Sequence, residues 1–291
     1  MKIAIDEQNR LVASARRSGR LPVIPVAILV LLLIDVIFAG VIAPHSPYAT
    51  DLSKRLIPPA WLPGGDVSYL LGTDLVGRDL LSRLMTGARA SLGVALATIF
   101  VGGTVGIVLG MVAGYAGGRT DSVIMRLVDG SLSIPVILLA LVLVSVREPS
   151  AWNVILVLSL VIWARFARLV RGEVLSLRER AFVALAQVAG SSSARIIARH
   201  IFPNILNTVI VVGTLQVGWV VLLEASLSFL GVGVPPPIPA WGSMVADGRA
   251  HMLSAWWLSL FPGIAILLLV LSLNFLGDWI RDRLDPRLRQ V

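Results

Sequence analysis

The chain has no cysteine, which excludes disulfides, thiolate metal sites and cysteine nucleophiles. Lysine is almost as scarce. Only Lys2 and Lys54 occur, and neither stands in a Gly-x-x-x-x-Gly-Lys-Ser/Thr frame, where a lysine would reach the β- and γ-phosphates of a nucleotide. The three histidines, His45, His200 and His251, are scattered, and no His-Glu-x-x-His run is present, so no zinc protease site is written here. Charge is thin at 14% of residues, too little for a soluble surface on a chain of 291 residues.

In its place the chain is 56% hydrophobic with a mean hydropathy of +0.86, the composition of a polytopic membrane protein. Six apolar stretches are read as spans, at 23–43, 90–114, 127–146, 152–170, 205–223 and 256–276. At ~1.5 Å per residue, about 20 residues suffice for a hydrocarbon core of about 30 Å. The first stretch exceeds the apolar core of a signal peptide and is read as an uncleaved span. Asp35 lies in its middle, where a carboxylate costs about 2.5–3.5 kcal/mol on insertion scales, so it should face protein or water. It is a candidate pathway residue, with a partner-paired structural role the equal alternative.

The second span carries Gly102, Gly106, Gly110 and Gly114 at every fourth residue, with Gly118 continuing the row. A helix face without side chains lets another helix approach closely, which predicts a central position in the bundle. Pro135 permits a kink in the third span, and Pro262 lies in the sixth. Before the second span, 44–87 is a polar external loop with five prolines. It tightens into a helix at the membrane interface, with Leu80, Leu81 and Leu84 on one face and Arg78, Asp79 and Arg83 on the other. After the fifth span, 224–254 is polar, and the prolines at 235–237 rule out a continuous spanning helix.

Between the fourth and fifth spans lies the basic segment 178–204. Phe182, Leu185, Ala186 and Ala189 fall at helical spacing, and Gly190 stands where a left-handed residue would end that helix. Serines 191–193 then open a second helix with Ile197 and Ile201 one turn apart, ending at Pro203. Such a helix-turn-helix finger is too polar for lipid and is tied at both ends to spanning helices. It is built to touch something soluble; a hairpin lying on headgroups is the alternative for the finger alone. Placing both termini and the finger inside puts 18 Lys and Arg in cytoplasmic segments against 7 outside, which orients the chain. The +8 net charge is explained by this orientation better than by nucleic acid.

Two stretches carry a resemblance. Gly72, Thr73, Asp74, Gly77, Arg78, Asp79, Ser82 and Arg83, then Gly87, Arg89, Ser91 and Leu92, match the signature of the peptide/nickel group of ABC importer permeases, and 227–242 matches its Leu-Ser-Phe-Leu-Gly and Ala-Trp-Gly run. The finger is similar to the loop of ABC importer permeases that docks on the ATPase, read as Glu-Ala-Ala, three residues, Gly, nine residues, Ile-x-Leu-Pro. The frame holds at Ala186, Gly190 and Pro203. It departs at Ala184 and Leu185, which stand for Glu and Ala, and at His200 and Phe202, which stand for Ile and Leu.

The resemblance implies an all-α, six-helix type I permease of the bacterial plasma membrane, close to the C-type permeases of oligopeptide and dipeptide importers. It implies a non-catalytic subunit that forms half of a translocation pathway. Its partners would be a homologous second permease, one or two cytoplasmic ABC ATPases that bind ATP and Mg²⁺, a substrate-binding protein outside, and lipid. No cofactor, metal site or nucleic-acid contact is expected in this chain. The expected organisation is a tail at 1–22, a first helix at 23–43, the external loop at 44–87, a five-helix core at 88–280 with the coupling loop at 171–204, and a tail at 281–291. Peptide is the expected cargo and nickel the alternative. A secondary transporter is less favoured, since it should show inverted repeats and several intramembrane ionisable groups, whereas only Asp35 is read well inside a span.

Overall fold

The computed structural model describes residues 21–146 and 150–284. The N-terminal tail and most of the C-terminal tail expected from sequence lie outside these. Among the described residues the elements are helical: α1 (Val23–Ile42), α2 (Leu80–Ala116), α3 (Gly118–Ser133), α4 (Val136–Val146), α5 (Ala151–Arg178), α6 (Ala181–Val188), α7 (Ser193–Ile196), α8 (Phe202–Phe229), α9 (Trp241–Gly248) and α10 (Trp257–Leu284). Among the described residues, five helices are long and apolar enough to cross a membrane, or six if the bent pair α3 and α4 is one span.

That pair corrects one expectation. The third span is not a kinked helix over 127–146 but two helices meeting at 83°. Pro135 has no N–H to donate, and its ring drives the preceding Ile134 into extended backbone (φ −89°, ψ 122°), so α3 stops there and α4 starts afresh. A second correction concerns α2. The interfacial helix and the second span are one helix of 37 residues, about 55 Å at ~1.5 Å per residue, longer than a hydrocarbon core of about 30 Å requires. Asp79 starts it by accepting from the Ser82 backbone N–H at 2.9 Å, and nothing between 80 and 90 breaks it.

The tightest packing in the bundle is α2 on α5, along the glycine row. A Cβ on Gly102 would lie 2.9 Å from the Ser159 carbonyl, on Gly106 2.3 Å from the Trp163 carbonyl, and on Gly110 2.6 Å from the Ala167 carbonyl. On Gly114 it would lie 2.8 Å from Val174 Cβ. Gly118 leaves the row, since it opens α3 and has open space around it. Around this contact a buried apolar core joins Leu158, Ile162 and Phe166 of α5 to Val220 and Val221 of α8 and Leu258 and Leu269 of α10.

Arginines at the finger end of α5 fasten its neighbours. Arg171 makes a two-pronged pair with Asp121 of α3 at 2.5 and 2.6 Å, and Arg168 reaches Asp129 at 2.5 Å. Arg165 stacks on the Trp219 ring at 3.6 Å, and Arg178 donates to the carbonyls of Gly114 and Tyr115 at the end of α2.

Candidate functional site

The finger folds as its glycine dictates. Gly190 has φ +77°, a left-handed conformation that costs a side-chain-bearing residue about 1–2 kcal/mol. With Gly190 so placed, its N–H bonds the Gln187 carbonyl and the Ser191 N–H bonds the Ala186 carbonyl, both at 3.0 Å, which satisfies the exposed end of α6. Ser192 then opens α7. The second helix does not end at Pro203, as expected from sequence; it runs on into α8. Residues Ile197–Ile201 widen into a π-turn, where the Phe202 N–H reaches back to the Ile197 carbonyl. Pro203 falls in the first turn of α8, where its missing N–H does least harm.

The packed face also differs from the expected one. Val183, Ala186, Ile196, Ile201 and Ile205 are buried against Val170 and Val174 of α5, with Ile197 partly buried beside them. Leu185 is turned outward at 69% exposure and Val188 at 87%, flanked by the exposed Ala184. His200 is half-buried and Pro203 exposed. The finger is thus a turn seated on the bundle by its buried face, and it offers an uncovered apolar tip.

At the opposite end, the Gly72 to Arg83 signature forms a buried knot rather than an amphipathic surface. Asp79 and Arg83, expected on a polar face, are 3% and 4% exposed, and Thr73 is fully buried. The Thr73 hydroxyl donates to the Lys54 carbonyl at 2.5 Å and accepts from the Ile57 N–H at 2.8 Å. Asp74 pairs with Arg78 at 2.6 Å and with Arg83 at 3.3 Å. The Ser82 hydroxyl donates to Asp79 at 2.5 Å and accepts from the His45 N–H at 3.0 Å. Gly77 has φ +77°, and a Cβ there would lie 1.8 Å from the Asp51 carbonyl. At Gly72, φ +84°, a Cβ would lie 2.5 Å from the Ile57 carbonyl.

The second signature stretch packs on the first. Trp241 Nε1 donates to the Leu84 carbonyl at 2.8 Å, and its ring covers Gly87. Trp257 Nε1 reaches the Thr73 carbonyl at 3.3 Å. Asp247 of α9 shares a small cleft with Asp74, Arg78 and Arg83. Desolvation there raises its carboxyl above the ordinary value, and the charges of Arg83 and Arg78 oppose that.

Asp35 belongs to neither region. It faces α2, where Arg89 donates to the carbonyls of Val36 and Ile37 at 2.9 and 3.1 Å and acts electrostatically on the Asp35 carboxylate. Sequence reasoning misses Glu224, because the apolar run of the fifth span ends at 223; α8 runs on to Phe229 and takes Glu224 inside. That side chain is fully buried, with Oε1 accepting from Ser228 at 2.6 Å and Oε2 unpartnered among the described residues. A carboxylate closing an apolar run and followed by Ala225, Ser226 and Ser228 was the available signal. Among the described residues, no group of three or more His, Asp or Glu is placed to hold a metal.

Known proteins resemble this chain in sequence and in fold. The di/tripeptide transport system permease protein DppC of Pseudomonas aeruginosa is 40% identical over 263 residues, 90% of this chain and 87% of that protein. The dipeptide transport system permease protein DppC of Escherichia coli is 46% identical over 268 residues, 92% and 89% of the two chains. A solved structure of the MetNI methionine ABC transporter in inward-facing conformations aligns with a TM-score of 0.59 at 18% identity, covering 68% of this chain and 94% of that one, a likeness of fold. The family model for the binding-protein-dependent transport system inner membrane component matches residues 106–290. With an all-α bundle of five or six spans in the type I permease fold, the chain belongs to that family, as a permease of the ABC importer type.

Proposed function

We propose that this chain is the permease subunit that conducts dipeptides or oligopeptides inward, as half of a pathway completed by a homologous second permease. Cytoplasmic ATPases engage the finger, a substrate-binding protein docks on the loops 44–87 and 226–254, and both termini are cytoplasmic. The observation that carries this is the finger itself. Leu185 and Val188 stand uncovered on a turn whose other face is buried on α5. A partner that pulls this tip moves the bundle rather than a loose loop. Coupling follows only if ATP-bound and ATP-free partners hold the finger differently. The peptide cargo is supported by the curated relatives, named as di/tripeptide and dipeptide permeases.

The test uses the complex recovered through this subunit and reconstituted in proteoliposomes, with a peptide pool and Ni²⁺ as competing substrates. ATP-dependent uptake of peptides is expected. Stimulation by Ni²⁺ alone would replace the cargo, and solute movement driven by an ion gradient without ATPase subunits would overturn the reading. Gly190→Val should insert normally, since open space surrounds Gly190, yet strain the left-handed turn. ATP hydrolysis should then run uncoupled from uptake. Normal uptake by that variant would show that the finger does not transmit the force.

A further inference from the structure

A groove of about 580 Å³ opens between α5, α8 and α10 at the finger end of the bundle, within the range of roughly 300–1,000 Å³ typical of small-molecule sites. Its floor is apolar, made by Leu169, Val211, Val212 and Leu215. Its rim carries one carboxylate, Glu173 of α5, and one guanidinium, Arg281 of α10, and neither side chain makes an ion pair or hydrogen bond among the described residues. Asn204, Asn207 and Thr208 of α8 line the same wall about one turn apart. Asn204 spends its amide N–H on the His200 carbonyl at 2.6 Å and keeps its carbonyl oxygen open; Asn207 and Thr208 have no side-chain hydrogen bond among the described residues.

Asn207 and Thr208 lie within the apolar run of α8, where polar groups are costly unless they find partners or water, and with Asn204, Glu173 and Arg281 beside them they mark a path for something that hydrogen-bonds. The inventory is specific. One acid and one base that do not pair with each other, two carboxamides and a hydroxyl complement a molecule with an ammonium, a carboxylate and peptide bonds. Apolar side chains of that molecule would lie on the floor. We infer that this groove is the inner stretch of the translocation pathway and takes a short peptide with both termini free. Arg281 receives the carboxylate, Glu173 the ammonium, and Asn204, Asn207 and Thr208 the backbone. This rests on the peptide-permease reading above and names the part of the chain that touches the cargo. A phospholipid headgroup carries both charges too but has no peptide bonds for the α8 wall to meet.

The experiment is site-specific photo-crosslinking in the full reconstituted complex, with benzoylphenylalanine in place of Leu215 and a tritiated dipeptide delivered by the binding protein. Label should enter this subunit only during ATP turnover. Arg281→Gln and Glu173→Gln should each cut uptake roughly tenfold, the loss of one charge-assisted hydrogen bond worth about 1.4 kcal/mol, and Arg281→Lys should restore most of it. Co-purification of the ATPases with each variant checks assembly. If the wild-type complex imports peptide while Leu215 stays unlabelled and both Gln variants transport at the wild-type rate, the groove is off the path and the permease reading survives. Crosslinking to phospholipid alone would make it a lipid-facing cleft and overturn the inference. A wild-type complex that moves no peptide would overturn the groove and the cargo together.

Discussion

At the scale of single residues, closeness of backbones decides which glycines matter. Gly103 and Gly106 are neighbours on α2, and sequence reasoning picked out only Gly106. A Cβ on Gly103 meets nothing nearer than the Phe166 ring at 3.7 Å, an ordinary contact. A Cβ on Gly106 meets the Trp163 carbonyl oxygen at 2.3 Å, and a backbone atom of a facing helix cannot swing aside. Gly103→Ala should leave thermal stability in detergent unchanged, whereas Gly106→Ala should lower it by about 3 kcal/mol, the upper end of overpacking costs. Equal melting of the two variants would mean that α2 and α5 can separate at no cost, contrary to their packing. The four-residue period of the glycines was legible because small side chains have one steric meaning in lipid. The burial of Thr73, Asp79 and Arg83 was not, since a run of Arg, Asp and Ser reads as a wet surface until the partners at Lys54, Ile57 and His45 are brought to it from 16 to 37 residues away.

At the scale of elements, the chain shows where local signals carry and where they stop. Gly190 announced its turn because a left-handed residue is needed to close α6. The proline signals misled twice, in opposite directions. Pro203 signals a stop, yet it sits in the first turn of α8 behind a π-turn; Pro135 signals a kink, yet it divides α3 from α4 by 83°. What differs is the surrounding packing. The π-turn keeps Ile201 and Ile205 buried on α5 through the irregularity, while α3 turns away to lie against α5 by its own ion pairs. Those pairs differ in worth. Asp121 and Arg171 are largely buried and bonded by two prongs, whereas Arg168 and Asp129 are more than half exposed. Asp121→Asn should therefore destabilise by about 2 kcal/mol, as expected for charge-assisted hydrogen bonds, and Asp129→Asn by less than about 1 kcal/mol. Melting curves of the two variants check this, and a larger loss from Asp129→Asn would reverse the assigned order.

At the scale of the whole molecule, the two ends of the bundle are built differently, and the absence of cysteine allows them to be told apart. One end holds the signature knot and the α9 cap, fixed by buried charges and tryptophan hydrogen bonds. The other holds the finger, with its hydrophobic underside seated and its tip bare. The excess of Lys and Arg at the finger end supports the proposed cytoplasmic placing of that end. A cysteine-free chain needs no background removal, so Leu253→Cys and Val188→Cys each create a single thiol at a fully or mostly exposed position, one beyond α9 and one on the finger tip. In spheroplasts a membrane-impermeant maleimide should label the thiol at 253 at once and the thiol at 188 only after permeabilisation. Labelling at 188 should then fall when the ATPase subunits are co-expressed, because the apolar tip is the surface they would cover. Labelling of 188 from outside would invert the molecule and remove the finger from any cytoplasmic partner. Unchanged labelling with the ATPases bound would keep the orientation and move the contact to another part of the inner face.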